Sequence, residues 1–173
     1  GAASVSSWRR NAGIGAPVRV SLTSSGGLAN GRSDANAISF NGSMVAFVSS
    51  ATNLVAGDTN GSIDVFVHDR QTGTTERVSV DSSGVQGNSD CYAPLALPAD
   101  GRYVAFASDA SNLVAGDTNN STDVFLRDRQ SGTTVRVSLG AGGVQANFGA
   151  SSPAISPDGR YVAFASDSTN LVA

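Results

Sequence analysis

The sequence predicts an all-β protein built from tandem four-stranded antiparallel units. Three observations carry that reading. Segments recur at a spacing of 58 or 59 residues along the 173-residue chain. Within each period, short apolar runs alternate with Gly, Asp and Asn turn signals. All 11 basic residues are Arg, and every acid except Glu76 is Asp. Lys and Glu favour exposed helix surfaces, whereas Asp, Asn, Ser and Gly populate turns, so the composition points away from helices.

Three markers fix the period. Arg19-Val20-Ser21-Leu22 returns as Arg77-Val78-Ser79-Val80 and Arg136-Val137-Ser138-Leu139. Val45-Ala46-Phe47 returns at Val104 and Val162, and Asn53-Leu54-Val55-Ala56 returns at Asn112 and Asn170. A fixed period of this length is the signature of a solenoid or a propeller.

Four strands are expected per period. Strand A is weakly apolar, at 35–40, 92–97 and 152–156. Strand B, rich in Val, Phe and aromatic residues, covers 44–49, 103–108 and 161–166. Strand C covers 64–69 and 123–128, with a degenerate first copy at 6–10 in which Trp8 takes the place of Phe66. Strand D covers 18–22, 76–80 and 135–139, and its Arg-Val-Ser-Leu alternation suits a half-buried strand. The A–B and C–D links are short and carry Gly where a positive φ is needed. The B–C and D–A links run to about a dozen residues each. One end of every sheet is therefore trimmed short, and the other carries all the long polar loops, where binding concentrates.

Four antiparallel strands, a first strand of small residues and tight hairpins describe a β-propeller blade. A β-solenoid is the alternative, though its coils are shorter. Ser156-Pro157-Asp158-Gly159-Arg160-Tyr161-Val162-Ala163-Phe164 resembles the signature of TolB-type propellers, the PD40 or WD40-like repeats. Asp100-Gly101-Arg102-Tyr103-Val104-Ala105-Phe106 and Asn41-Gly42-Ser43-Met44-Val45-Ala46-Phe47 are weaker copies. The resemblance implies a six-bladed ring, a periplasmic or extracellular setting and no catalytic residues, since the motif residues build turns and blade packing.

The chain is read as one repeat domain, 1–173, with units 1–56, 57–115 and 116–173. It holds three blade-equivalents, opening with strands C and D of one blade and closing with strands A and B. Three blades are too few for a ring. The expectation is a homodimer in which the C-terminal A–B pair takes the partner's N-terminal C–D pair, removing exposed edges. A slice of a longer single chain is the alternative.

The segment Gly57-Asp58-Thr59-Asn60-Gly61-Ser62-Ile63-Asp64 recurs from Gly116. Asp58, Asn60, Ser62 and Asp64, like Asp117, Asn119, Ser121 and Asp123, place side-chain oxygens at alternate positions. That spacing suits Ca2+, which needs six to eight converging oxygens. Position 12 is Asp69 or Asp128 rather than Glu, and it falls in a strand. The same residues also read as Asx turns, with Asp69-Arg70 and Asp128-Arg129 as edge ion pairs. No cofactor is required by any motif, and Ca2+ is the one the pattern admits.

A net charge of −3 gives no attraction to nucleic acid, and no run of 18 apolar residues allows membrane insertion. Cys91 reads as a buried inert thiol, and His68, at an Arg position of the repeat, as a surface strand residue. The function expected is a non-catalytic binding scaffold for a protein, peptide or glycan. Its long-loop face would present Ser33, Asp34, Gln86, Asn88, Asp90, Gln145, Asn147 and Phe148. Tyr92 lies near that face and is expected to pack between blades. A carbohydrate- or peptide-processing enzyme is the alternative, with Asp34 and Asp90 as its paired carboxylates. No Gly-x-Ser-x-Gly element is present. A purely structural half-propeller is a third reading.

Overall fold

The computed structural model describes residues 7–8 and 17–172, leaving aside the side chains of 7, 8, 35 and 36. The strands are β1 (Ser7–Trp8), β2 (Val18–Arg19), β3 (Ser33–Ile38), β4 (Met44–Ser49), β5 (Asp64–Asp69) and β6 (Thr75–Arg77). They continue as β7 (Cys91–Ala96), β8 (Tyr103–Ser108), β9 (Asp123–Asp128), β10 (Thr133–Arg136), β11 (Ala150–Ile155) and β12 (Val162–Ser166). Two sheets have four strands in simple meander order, β3-β4-β5-β6 and β7-β8-β9-β10, and two have only two, β1-β2 and β11-β12. Every pairing is antiparallel. The chain is therefore a partial β-propeller: blades one and two are complete, and β11–β12 is the inner half of a third. Among the described residues, no helix is long and apolar enough to cross a membrane.

The expected B and C strands appear with the bounds read from sequence, apart from β12, which starts one residue later, and the first C strand, expected at 6–10, of which 7–8 form β1 and the rest lie outside the described residues. The first strand of each blade starts one or two residues earlier than expected, because a bulge breaks its alternation between Ala35 and Ala37, Tyr92 and Ala96, and Ser151 and Ala154. The fourth strand is shorter. After Arg77 and Arg136 the chain turns into its own loop, bridging Val80 to Gln86 and Leu139 to Gln145. In the first hairpin, Ser7 rather than Trp8 stands opposite Arg19. Phe66 and Phe125 stand opposite the equivalent Arg77 and Arg136. Trp8 thus occupies the Val67 register, a correction to its expected role.

The core lies between blades. Phe106 and Phe125 stack at 5.8 Å, both fully buried, with Val65, Val67, Val104 and Leu113 around them. Phe47 and Phe66 repeat the stack at 5.8 Å. Cys91 is buried here, and burial pushes its thiol up to about 12, which keeps it protonated and inert. The short turns also lock blade to blade. A Cβ on Gly101 would come within 2.7 Å of Met44 Cγ, and one on Gly159 within 2.8 Å of Tyr103 Cδ2.

His68 is buried at 6% exposure, not on the surface. Thr75 donates its hydroxyl to Leu22 O at 2.5 Å, so the hydroxyl oxygen accepts from His68 Nδ1, 2.8 Å away. The neighbouring outer strand thus closes over the ring. Arg127, its counterpart, reaches further and donates to Asp81 O and Thr134 Oγ1.

Candidate functional site

The long loops are held by a buried polar network that occurs twice. Asp64 is fully buried. Its Oδ1 accepts from Ser79 Oγ at 2.5 Å, and its Oδ2 from Asn60 Nδ2 at 3.0 Å and Arg77 Nη1 at 3.3 Å. Arg77 Nη1 also pairs with Asp58 Oδ1 at 3.1 Å. In the next blade Asp123 accepts from Ser138, from Asn119 at 3.0 Å and from Arg136 at 3.0 Å, and Arg136 reaches Asp117 at 2.8 Å. Burial raises the Asp58 carboxyl, with the Asp64 charge adding to it and Arg77 opposing. Burial likewise raises Asp117.

The residues expected to ring a cation therefore do converge in part, but around a guanidinium. Asp58 and Asp64 pair with Arg77 while Asn60 bonds Asp64, and Asp117 and Asp123 pair with Arg136 while Asn119 bonds Asp123. Ser62 and Ser121 contribute backbone N–H groups to Asx turns on Asn60 and Asn119, at 3.1 and 3.3 Å. Asp69 and Asp128 lie at the opposite end of the strands, where they cap the C–D turns through Gln71 N at 2.8 Å and Gln130 N at 2.9 Å. Asp128 takes a two-pronged bond from Arg102, at 2.9 and 2.6 Å, while Arg129 reaches Glu76. That corrects the expected Asp128–Arg129 pair. Among the described residues, no three His, Cys, Asp or Glu side chains cluster in a metal-holding arrangement. The sequence pattern showed the acids but not the arginine, which comes from a distant strand.

Most of the expected ligand-contacting side chains are spent on holding the loops. Gln86 bonds Thr59 through both ends of its amide, at 3.2 and 2.7 Å, and Gln145 does the same with Thr118 at 3.1 and 3.0 Å. Asn88 clamps Ser111, while Asn112 clamps back on Asn88 N and Gln86 O. Asn147 clamps Thr169 and Asn170 in the same way. Ser33 is buried against Ser49 at 2.8 Å. Asp34 remains partly exposed beside Arg32, 2.8 Å away. Asp90 accepts from Ile63 N of the preceding blade at 2.8 Å, so Asp34 and Asp90 serve different partners. Phe148 stays 55% exposed.

Among the described residues, this face carries an open cleft at the second blade junction. A cleft of about 520 Å³ lies where blade two meets the third blade, lined by Asp109, Ser111, Asp117, Asn120, Ser121, Thr122 and Gly149. Asp109 sits on its wall and accepts from Tyr92 OH at 2.6 Å and from Thr122 Oγ1 at 2.5 Å. The bond to Asp109 pushes the Tyr92 phenol up to about 12, so it remains a donor. Tyr92 is 40% exposed rather than packed between blades, because Asp109 holds its hydroxyl at the surface. A smaller opening, about 270 Å³, lies on blade one, lined by Arg32, Asp34, Val48, Ser49, Ser50 and Ile63.

A TolB-assigned protein of Agrobacterium tumefaciens superposes on 90% of this chain with a TM-score of 0.53 at 21% identity. The fold is a TolB-like β-propeller. TolB from Acinetobacter baumannii covers 79% of the chain at 16% identity and a TM-score of 0.47. The propeller domain of the Trilobed protease from Pyrococcus furiosus covers 76% at 10% identity and 0.46. This TolB-like chain spans 44%, 27% and 33% of those three structures. No family model matches its sequence, and no curated protein matches it.

Proposed function

We propose that the chain is a non-catalytic binding scaffold that closes into a six-bladed ring with a second copy and meets its ligand on the long-loop face. One observation carries the ring. Ala105 and Ala107 of β8 are 0% and 2% exposed, whereas their repeats in β12, Ala163 and Ala165, are exposed. Among the described residues, strand β12 pairs only with β11, while β4 and β8 each have an outer neighbour. The same residues that form a blade–blade interface in one copy stand open in the other. A β1–β2 hairpin from a second copy is the element of matching type, and it removes an unpaired edge at each of two junctions.

The non-catalytic reading rests on how the titratable groups are engaged: His68 is buried on Thr75, and Asp34 and Asp90 hold separate partners. An extracytoplasmic setting accompanies the TolB-like resemblance. Ca2+ is not required, because Arg77 and Arg136 supply the positive charge in the acidic loops. Light scattering tests the ring. A mass twice the 17.4 kDa chain is expected, and a stable single-chain mass at micromolar concentration contradicts it.

A further inference from the structure

Several departures from repeat identity meet at one junction. Position for position, Ser50 of the first junction becomes Asp109 at the second, and Asp90 becomes Gly149. Ser89 becomes Phe148, and Asp34 on the innermost strand becomes Tyr92. Each change alters the cleft in a definite way. At the first junction the Asp90 carboxylate reaches back and caps Ile63 N. At the second, the equivalent Thr122 faces Gly149, and the space stays open. A Cβ on Gly149 would meet only Thr122 atoms, at 3.7–4.0 Å, so no steric demand excludes a side chain there.

The lining sets the ligand chemistry. The Asp109 carboxylate disfavours an anion, while Asp117 on the same wall is already paired with Arg136. Hydroxyl and amide groups of Ser111, Asn120, Ser121 and Thr122 leave little apolar wall for a greasy ligand. Asp109 already receives two hydroxyl donors, from Tyr92 and Thr122, and a carboxylate has lone pairs for more. Phe148 adjoins Gly149 and is exposed, and its backbone is pinned: its N–H donates to Ser168 Oγ at 3.0 Å and its carbonyl accepts from the same hydroxyl at 2.8 Å. An exposed aromatic residue next in sequence to Gly149 of a polar cleft of about 520 Å³ suits a flat-faced, hydroxyl-rich molecule.

We infer that this cleft binds a neutral saccharide, with hydroxyls on Asp109 and the loop amides and a ring face on Phe148. The inference rests on the reading of the long-loop face as the binding face. The test is an array of neutral di- to tetrasaccharides of glucose, galactose, mannose and N-acetylglucosamine, alongside a random peptide array. Hits are confirmed by saturation-transfer NMR on the full chain. Wild type is expected to bind a neutral sugar. Gly149→Asp, which restores the repeat residue, and Phe148→Ser are each expected to weaken it at least tenfold, with the melting curve kept. Sugar binding that survives Gly149→Asp overturns the site. Peptide binding that Gly149→Asp abolishes overturns the sugar but keeps the scaffold. Binding of neither class overturns both.

Discussion

Ser79 donates its hydroxyl to Oδ1 of Asp64 at 2.5 Å, and both side chains are fully buried. Ser79 Oγ also accepts from Val65 N at 3.1 Å, so one hydroxyl ties the fourth strand's exit to the third strand's start. Ser138 repeats both bonds, to Asp123 and to Val124 N. A buried carboxylate is tolerated only when its lone pairs and charge are met, which Ser79, Asn60 and Arg77 do together. Arg77→Met is therefore expected to cost about 3–5 kcal/mol, and Ser79→Ala about 1–3 kcal/mol. Urea denaturation of the two variants checks the order. Equal, small effects would mean that the network is solvated.

The same charge balance predicts the response to calcium. Wild-type melting temperature is expected to stay unchanged on adding millimolar Ca2+ or a chelator, since the guanidinium of Arg77 already pairs with Asp58 and Asp64. A ligand that bound only the folded state would raise it by mass action. A calcium-dependent rise, read by scanning calorimetry, would put a cation in the loop.

His68 gives a pH signature. Burial lowers its pKa from the ordinary 6.5, with Asp69 opposing and Arg70 adding to the shift. Between the lowered folded value and 6.5, the unfolded chain binds a proton that the folded chain does not. Stability contributed by neutral His68 is thus complete above the unfolded pKa and is lost as pH falls through that window. His68→Gln should flatten the fall in urea midpoint between about pH 7 and pH 5, and as His68 is the chain's single histidine, the difference from wild type isolates it.

Two turn glycines separate packing within the chain from packing between copies. Gly101 and Gly42 have φ of 68° and 71°, so alanine at either strains the backbone by about 1–2 kcal/mol. Gly101 also faces Met44 of the preceding blade at 2.7 Å, whereas nothing lies closer than 3.9 Å to a Cβ on Gly42. In the proposed ring, the blade before Gly42 would belong to the second copy and present Tyr161, which is 67% exposed in the single chain. Gly101→Ala should lower the melting temperature at every concentration. Gly42→Ala should weaken the dimer in sedimentation experiments, and an unaltered dimer would argue against this packing.

The fold was legible because its signal is periodic: the Val-Ala-Phe and Asp-Val-Phe runs sit at fixed register, and their strands match residue by residue. The inner and outer strands were less legible. Bulges in β3, β7 and β11 break alternation, and the outer strands hand their ends to the adjoining loops. The site was read only as a face. Asn88 and Asn147 look like free polar groups in sequence, yet their partners lie 22 to 24 residues away across the loops. Asp109 repeats as Asp167 in the third copy and is replaced by Ser50 in the first, and its partners Tyr92 and Thr122 lie 17 and 13 residues away.

Ring closure is tested most directly at the junction itself. Phe106 stands opposite Phe125, and the same register places Phe164 of one copy opposite Ser7 of the other. Facing residues of an antiparallel pair are about 4.5–5.5 Å apart at Cα, within the span of a disulfide. The double variant Ser7→Cys with Phe164→Cys, oxidised and run on a non-reducing gel, should migrate as a covalent dimer, while each single variant and wild type, whose Cys91 is buried, should not. A double variant that stays monomeric under oxidation would contradict the ring.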